Sequence, residues 1–263
     1  MTMVMPERPD TLLDSLRGDR GRRPRRDEHL AGGVRTHLED RVYELVGPER
    51  RATPLTLSAA SLRSPQGEEI GDATLARARG VLVSTVLRLL VARVHVDDPF
   101  DDALSAWRAQ GPADELLGRV EALDRDQLAR LRSDVRAHVD TLRRGIGIIP
   151  STWTPRSALR SRVLLAGGTV LIRDVVDLVL GSPHSERASV ALIDVTSSPL
   201  SPSAERVVRF HALVQTLRSG VVPLRRSIFS SATGEAWTHD VDAELLWRAA
   251  EELSEALARA VAP

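Results

Sequence analysis

Apolar residues recur at helical spacing through most of the first half of the chain and at strand spacing through much of the second half. Helices are predicted from Val34 to Val46, from Asp72 to about Val96, and in three segments between residues 99 and 145. The apolar band from Gly80 to Val96 is wide, so this helix is predicted to be largely buried. Pro54 to Leu62 is predicted to form a short strand that runs into a turn.

The pattern changes near Ile148, where short runs rich in Val, Ile and Leu replace the helical spacing. Strands are predicted at residues 163–165, 169–180, 189–196 and 222–230. Helices are predicted from Ser203 to Ser219 and from Asp240 to about Val261. Helices followed by three strands, a helix, a strand and a helix predict a mixed α/β (α+β) fold with a helical N-terminal half.

The first 33 residues are rich in Pro, Gly and Arg, so a flexible basic arm is predicted there. Six arginines lie between residues 17 and 26 against one acid, Asp19. The candidates for contact with nucleic-acid phosphates are Arg22, Arg23, Arg25 and Arg26, and the alternative is that these side chains are solvated. Residues 34–147 are then predicted as a helical region and residues 148–263 as an α/β core.

Lysine and cysteine are both missing from the sequence, and the charges balance, with 36 basic residues (all arginine) against 36 Asp and Glu residues. Zero net charge gives no global sign of a nucleic-acid or membrane binder. Without cysteine there is no disulfide, thiolate zinc site or cysteine nucleophile. Without lysine, no side chain can act as a Schiff base or as a water-activating ammonium group.

The N-terminal sequence lacks the apolar segment of a signal peptide. The most apolar run, Gly80 to Val96, is interrupted by Arg88 and Arg93 and falls short of a bilayer-spanning helix. We therefore expect a cytoplasmic protein with no membrane partner.

Two carboxylates interrupt apolar strand segments in the second half of the chain. Asp177 lies within Val-Val-Asp-Leu-Val-Leu-Gly, and Asp194 lies within Ala-Leu-Ile-Asp-Val-Thr. Alternation along a strand places Asp177 on the face of Val175 and Val179. By the same count Asp174 points to the opposite face. An ionised carboxylate on an apolar face is unfavourable unless it is paired or binds a cation, so the pair predicts a metal site. The alternative is that both acids lie at strand ends within reach of water.

Together with the order of elements, the motifs VVDLVLG (175–181) and LIDVTSS (192–198) resemble the RecB-like branch of the PD-(D/E)XK nuclease superfamily. A set of actinobacterial proteins assigned to that superfamily is more closely similar, through TWTPRS (152–157), LAGGTV (165–170), ALVQTLRSGVVPLR (212–225) and the final helix. The resemblance covers residues 100–263, approximately, and excludes the arm. It implies a restriction-endonuclease-like PD-(D/E)XK core and a nucleic-acid partner, DNA more than RNA.

Members of that superfamily use an acid on one strand and an acid-x-lysine on the next to hold Mg²⁺ or Mn²⁺ and to activate water. The resemblance implies that Asp177 and Asp194 are metal ligands and that Thr196 stands at the third catalytic position. A threonine hydroxyl donates a hydrogen bond but carries no charge, and an arginine in this role would stay protonated. The candidates for that role, and for contact with nucleic acid, are Arg206 and Arg209 on the following helix.

Two further positions depart from the family pattern. Ser84 stands where the family places a histidine on an early helix. On the later helix, Val207 and His211 replace a Gln-x-x-x-Tyr pattern. His211 could be a metal ligand, but a lone histidine on the flank of a helix is more often structural.

Three functions stay open from the sequence. The first is a nuclease-like protein with impaired catalysis that binds nucleic acid or serves as a partner subunit in DNA processing. The second is an active DNA nuclease that uses Asp177, Asp194 and Mg²⁺ or Mn²⁺ without the usual lysine. The third is a structural or protein-interaction module with no nucleic-acid role and no cofactor, which the zero net charge favours.

Overall fold

The computed structural model describes residues 11–17, 27–47, 53–62, 73–110, 114–182 and 189–262. Its helices are α1 (Leu12–Arg17), α2 (Glu28–Val46), α3 (Ala73–Val91), α4 (Pro99–Arg108), α5 (Glu115–Glu121), α6 (Arg125–Ile146), α7 (Pro202–Ser219) and α8 (Ala243–Val261). Its strands are β1 (Leu55–Leu57), β2 (Arg156–Leu165), β3 (Val170–Leu180), β4 (Ala191–Thr196), β5 (Arg225–Ser230) and β6 (Ala236–Asp240). The predicted mixed α/β class is confirmed. Within the described residues, no helix combines the length and the apolar character that a bilayer span requires.

The strands form one mixed sheet of six strands, and β3 is its central element. Along one edge, β3 pairs antiparallel with β2 over most of its length, from Val170 opposite Leu165 to Val179 opposite Arg156. Beyond β4, the sheet continues through β5, which is parallel to β4, and β6, which is antiparallel to β5. The two strands that carry the candidate acids, β3 and β4, are therefore internal to the sheet.

The other edge of β3 is shared by two strands, which leaves a gap between them. β1 pairs in parallel with residues 170–172 of β3, and β4 pairs antiparallel with residues 178–180. Residues 173–177 lie between these two ladders. Asp174 and Asp177 are therefore placed where the sheet opens along this edge.

The alternation of side chains along β3 is interrupted at Asp177. Val176 and Val179 pack in the same apolar cluster although they are an odd number of residues apart. The expectation that Asp177 shares a face with both Val175 and Val179 is therefore wrong. On β2, Ala158 lies opposite Asp177 in the register and has a left-handed backbone with a φ of 48°. Both strands therefore depart from regular strand geometry at the level of the acid.

Helices cover both sides of the sheet. On one side, called the α7 face, α2, α7 and α8 pack against apolar residues of β1 to β4. On the other side, called the α3 face, α1, α3 and α6 pack against β4, β5 and the end of β3. A third apolar cluster joins α3 to α4, α5 and α6. The outward residues of β2 and of the first part of β3 alternate with buried ones and remain exposed on the α3 face.

Residue types at the helix ends agree with the signals read from the sequence. α6 begins with a capping box, in which the Asp124 side chain accepts from the Gln127 amide and the Gln127 side chain accepts from the Asp124 amide, and Asp at the N-cap with Gln three residues later is the sequence pattern of this motif. α7 begins after Ser201, whose hydroxyl accepts a hydrogen bond from the Ala204 amide. It ends at Gly220, whose φ of 67° is a conformation that glycine adopts without strain. These ends fix the length of α7, which carries His211.

The predicted arm over residues 1–33 is wrong for two stretches of chain. α1 buries Leu12, Leu13 and Leu16 against the α3 face of the sheet, and α2 already begins at Glu28. A helix of six residues is too short to give a periodic signal, so the sequence pattern did not reveal it. The arginines proposed for phosphate contact, Arg22, Arg23, Arg25 and Arg26, lie outside the described residues.

The strands also differ from the prediction in extent. β1 confirms the short strand expected after Pro54, and by joining the sheet it makes the region 34–147 only partly helical. Only the apolar end of β2, residues 163–165, was predicted as a strand. The structure extends β2 back to Arg156, through residues in which polar and apolar side chains alternate. β6 follows the turn around Gly234 and was not predicted.

Candidate functional site

Asp177 and Asp194 come together at the gap in the sheet. Extending the β3–β4 register by one pair beyond Leu178 and Ile193 places the two acids opposite each other. Burial raises the pKa of Asp177 to about 7, and repulsion by Asp194 and a hydrogen bond between the two carboxyl groups add to the rise. Neighbouring carboxylates do not both ionise readily, so this pair retains a proton at higher pH than either acid would alone.

Asp177 is held by two hydrogen bonds from different elements. The Ser84 hydroxyl on α3 donates to Oδ1 at 3.2 Å, and the Val195 backbone N–H on β4 donates to Oδ2 at 2.9 Å. The bond from Val195 spans the gap between β3 and β4, so a carboxylate satisfies this backbone donor in place of a ladder partner. Ser84, which stands where the resembled family places a histidine, therefore contacts Asp177 directly.

His211 connects the buried acids from the α7 face. Its Nδ1 lies 2.8 Å from Asp174 Oδ1, and its Nε2 lies 3.5 Å from Asp194 Oδ1. Burial alone would lower the pKa of His211, but the attraction of Asp174 and Asp194 outweighs burial and raises it to about 10. His211 is therefore an imidazolium cation at neutral pH. It supplies positive charge to Asp194 from inside the protein.

The three acids Asp174, Asp177 and Asp194 with His211 are called the carboxylate site. Asp174 was expected on the face opposite Asp177, and it is buried on the α7 face with 6% of its surface exposed. Its hydrogen bond with Nδ1 holds the His211 ring in place. Three acids thus share one imidazolium.

Thr196 follows the site but uses its hydroxyl locally. The Thr196 Oγ1 accepts a hydrogen bond from the Ser198 backbone N–H at 3.1 Å. Its carbonyl oxygen accepts from the N–H and the hydroxyl of Ser231, and the Ser231 hydroxyl lies 2.9 Å from His138 Nδ1 on α6. These bonds hold the end of β4 against β5 and α6. Thr196 therefore anchors the end of β4.

Arg88 was not recognised from the sequence as a site residue. It lies one helical turn after Ser84 on α3. Burial lowers the pKa of the Arg88 guanidinium, the nearby carboxylate of Asp177 raises it, and the positive charge of Arg160 lowers it. Its guanidinium donates to the Ser84 carbonyl, the Thr85 hydroxyl and the Gln110 side chain. The i,i+4 spacing of Ser84 and Arg88 is the signal that could have indicated a shared helix face.

The two arginines proposed on α7 are placed differently. Arg209 is buried, and its guanidinium contacts Glu252 at 2.6 Å and Glu205 at 3.3 Å. Arg226 on β5 contacts the same Glu205 at 3.0 Å. These four residues are called the arginine–glutamate network, and because Arg209 is paired with two glutamates within it, Arg209 is not available to a phosphate or to the carboxylate site. Arg206 is half-buried and forms no ion pair within the described part of the chain.

Divalent cations such as Mg²⁺ prefer oxygen ligands, which Asp177 and Asp194 can supply. Both oxygens of Asp177 already accept hydrogen bonds, and the imidazolium of His211 lies against Asp194. Across the described ranges, no group of three His, Asp or Glu residues is arranged to hold a metal ion. Two acids at most are therefore in position to contact a cation here, and oxygens of both already have other partners.

Comparison of the sequence with family models and with curated proteins gives no match. Among solved structures, the chain is similar to one described as "Crystal structure of SSO0001", at 9% identity and a TM-score of 0.31. The similarity covers 85% of this chain and 84% of that one.

Proposed function

We propose that this protein binds nucleic acid through a nuclease-like core in which phosphodiester hydrolysis is impaired. The observation that carries the proposal is the carboxylate site itself. Asp177 and Asp194 meet at a break in the sheet, as a two-acid metal site requires, but Thr196 adds no charge to them. With no ammonium group beside the two acids, the site lacks the positive charge that would stabilise a phosphodiester during hydrolysis.

Asp177 and Asp194 would hold the divalent cation of such a site. A bound cation lowers the pKa of coordinated water and stabilises charge on a phosphate. Ser84 and the Val195 amide orient Asp177, and His211 orients Asp194. The chain has no lysine to stabilise developing negative charge, and the described contacts of Arg88 direct its guanidinium to Ser84, Thr85 and Gln110. The missing group is therefore the ammonium that follows the second acid.

Replacement of Thr196 tests this proposal by supplying the missing group. In the full-length protein, Thr196→Lys is expected to raise Mg²⁺-dependent cleavage of labelled DNA by about 10²-fold over the wild-type protein. Thr196→Gln is the matched control, because it adds length without charge and should leave cleavage unchanged. Adding Asp194→Ala to Thr196→Lys should abolish the gain. Efficient cleavage by the wild-type protein that Asp194→Ala removes would overturn the impairment.

A second function, a metal-dependent nuclease that works without lysine, is favoured by the raised pKa of Asp177. Repulsion between two carboxylates is relieved when a cation binds between them, so the site would gain from Mg²⁺ or Mn²⁺. Titration calorimetry with each metal, on the wild-type protein and on Asp194→Ala, tests the cation site that both functions use, and cleavage of labelled DNA by the wild-type protein separates the two functions. Absence of binding at millimolar metal would exclude the second.

A further inference from the structure

One exposed surface of the sheet carries positive charge without a balancing acid. Its outward positions are Arg160, Arg162 and Leu164 on β2 and Leu171, Arg173 and Val175 on β3. All three arginines are exposed, and none forms an ion pair within the described part of the chain. These six residues are called the arginine face.

The pairing of the strands places like charges directly together. Arg162 lies opposite Arg173, and the next outward pair joins Arg160 to Val175. Like charges directly opposite each other on neighbouring strands destabilise a sheet. The fold therefore carries an unfavourable arrangement that an anion bound across the strands would relieve.

The arginine face leads towards the carboxylate site. Val175 lies two residues before Asp177 on β3. The charges of Arg160 and Asp177 both shift the pKa of Arg88. Beyond this point α3 covers the sheet, with Ser84 in contact with Asp177. A polyanion on the face would reach the two acids at the edge of α3.

From this arrangement we infer that the arginine face binds the phosphodiester backbone of nucleic acid and directs it to Asp177 and Asp194. The inference rests on the proposed function and adds the path of the bound strand. Three arginines with no acid among the outward positions favour a polyanion. A second copy of the chain fits poorly, because a two-fold interface on this face would bring arginines against arginines.

Exposed apolar side chains flank the arginines. Leu164 is 56% exposed and Val175 is 51% exposed. Neither is aromatic, so the face offers no platform on which bases stack. Contact is therefore expected with the backbone and not with base edges, which predicts binding independent of sequence.

The test measures binding of a labelled duplex and of the matching single strand to the full-length protein by fluorescence anisotropy over a range of salt concentrations. The variant combines Arg160→Gln, Arg162→Gln and Arg173→Gln. Its matched control combines Arg125→Gln, Arg130→Gln and Arg144→Gln, which remove the same charge from exposed positions of α6. The triple variant of the face should weaken binding on the order of 10- to 100-fold. It should also reduce the slope of log K against log salt by about 2 to 3, since each phosphate contact contributes about 0.9.

Melting temperature provides the second readout. Removing the opposed arginines should leave the melting temperature unchanged or raise it, because a repulsion disappears. A lower melting temperature with unaltered DNA binding would mean that an acidic segment of the chain itself covers the face, and would overturn the inference. Binding that the control variant weakens as much as the face variant would also overturn it.

The proposed function and the inference fail differently. If the wild-type protein binds neither DNA nor RNA, both fall. If it binds DNA and the face variant binds equally well, only the path of the strand is wrong. Equal affinity for poly-glutamate would show that the face takes acidic protein, which contradicts the nucleic-acid partner inferred here.

Discussion

α7 contributes to two groups of buried charges that are built on opposite plans. In the arginine–glutamate network, two arginines face two glutamates at ion-pair distance. In the carboxylate site, three acids share the single imidazolium of His211. A balanced group holds helices and strands together, whereas the unbalanced one keeps a repulsion that a retained proton relieves in part and a bound cation could relieve further. This difference makes the carboxylate site the better candidate for a functional cluster.

The largest effect is expected from breaking the balanced group. Arg209→Met leaves Glu205 and Glu252 without their shared cation in a partly buried place, so the free energy of unfolding should fall by about 3 kcal/mol. Urea denaturation at neutral pH measures the change. Arg248→Met, which breaks an exposed pair with Glu244 on α8, is the control and should change stability by less than about 0.5 kcal/mol. Equal effects of the two substitutions would remove the distinction between the network and a surface pair.

Removal of the single cation from the unbalanced group should have the next largest effect. His211→Gln keeps a hydrogen-bonding side chain but leaves Asp174 and Asp194 uncompensated, so stability near pH 6 should fall by about 2 kcal/mol. The pKa of His211 is raised from its ordinary 6.5 to about 10 in the folded protein. Its contribution to stability is therefore complete below pH 6.5 and is lost as the pH rises through about 10.

The measurement for His211→Gln is urea denaturation of the wild-type protein and the variant at several pH values between 6 and 10. The two curves should converge as the pH increases, because the wild-type imidazole then loses its proton. A loss of stability that is the same at every pH would indicate that His211 acts through packing and not through charge.

The smallest effect is a gain in stability on removal of one acid. The pKa of Asp177 is raised from 3.8 to about 7, so the folded protein holds a proton there that the unfolded chain has released. Wild-type stability therefore falls as the pH rises from about 4 to about 7. Asp177→Asn removes this loss and keeps groups that can bond to the Val195 amide and to Asp194. It should stabilise the protein by about 1 kcal/mol at pH 8 and have little effect at pH 4.

Asp140→Asn is the control for Asp177→Asn, since Asp140 is an exposed acid on α6. Thermal denaturation at both pH values should show no pH-dependent difference for this control. If Asp177→Asn destabilises the protein at pH 8, the hydrogen bonds to the ionised Asp177 outweigh the cost of its burial and the repulsion by Asp194. The carboxylate site would then resemble the balanced network.

Sequence pattern sufficed for the parts of the molecule that depend on local periodicity. The helices that carry wide apolar bands, the capping box at Asp124 and the strands around Asp177 and Asp194 all follow from spacing. The two acids stand out because each interrupts an apolar run. Their convergence depends on the strand register, which the sequence does not encode in any short segment.

The parts that were missed depend on contacts between distant residues. Arg88 reaches the site because α3 crosses the sheet at Ser84, and His211 became a partner of Asp174 only through the packing of α7 on β3. The pairing of Arg209 with Glu205 is an exception, because their i,i+4 spacing on one helix could have indicated it in advance. Strand β6 escaped notice since only five residues of alternating character define it.

The gap along β3 has a consequence for how such a protein can change over evolutionary time. β4 is paired with β5 from Ala191 to Thr196, and β3 is paired with β2 along its other edge, so neither strand relies on the ladder that is interrupted at the acids. The ladders that hold both strands therefore survive an exchange of residues 177 and 194, although the Val195 amide and His211 would then need other partners. The chemistry of the side chains at such a position can change while the strands that carry them persist.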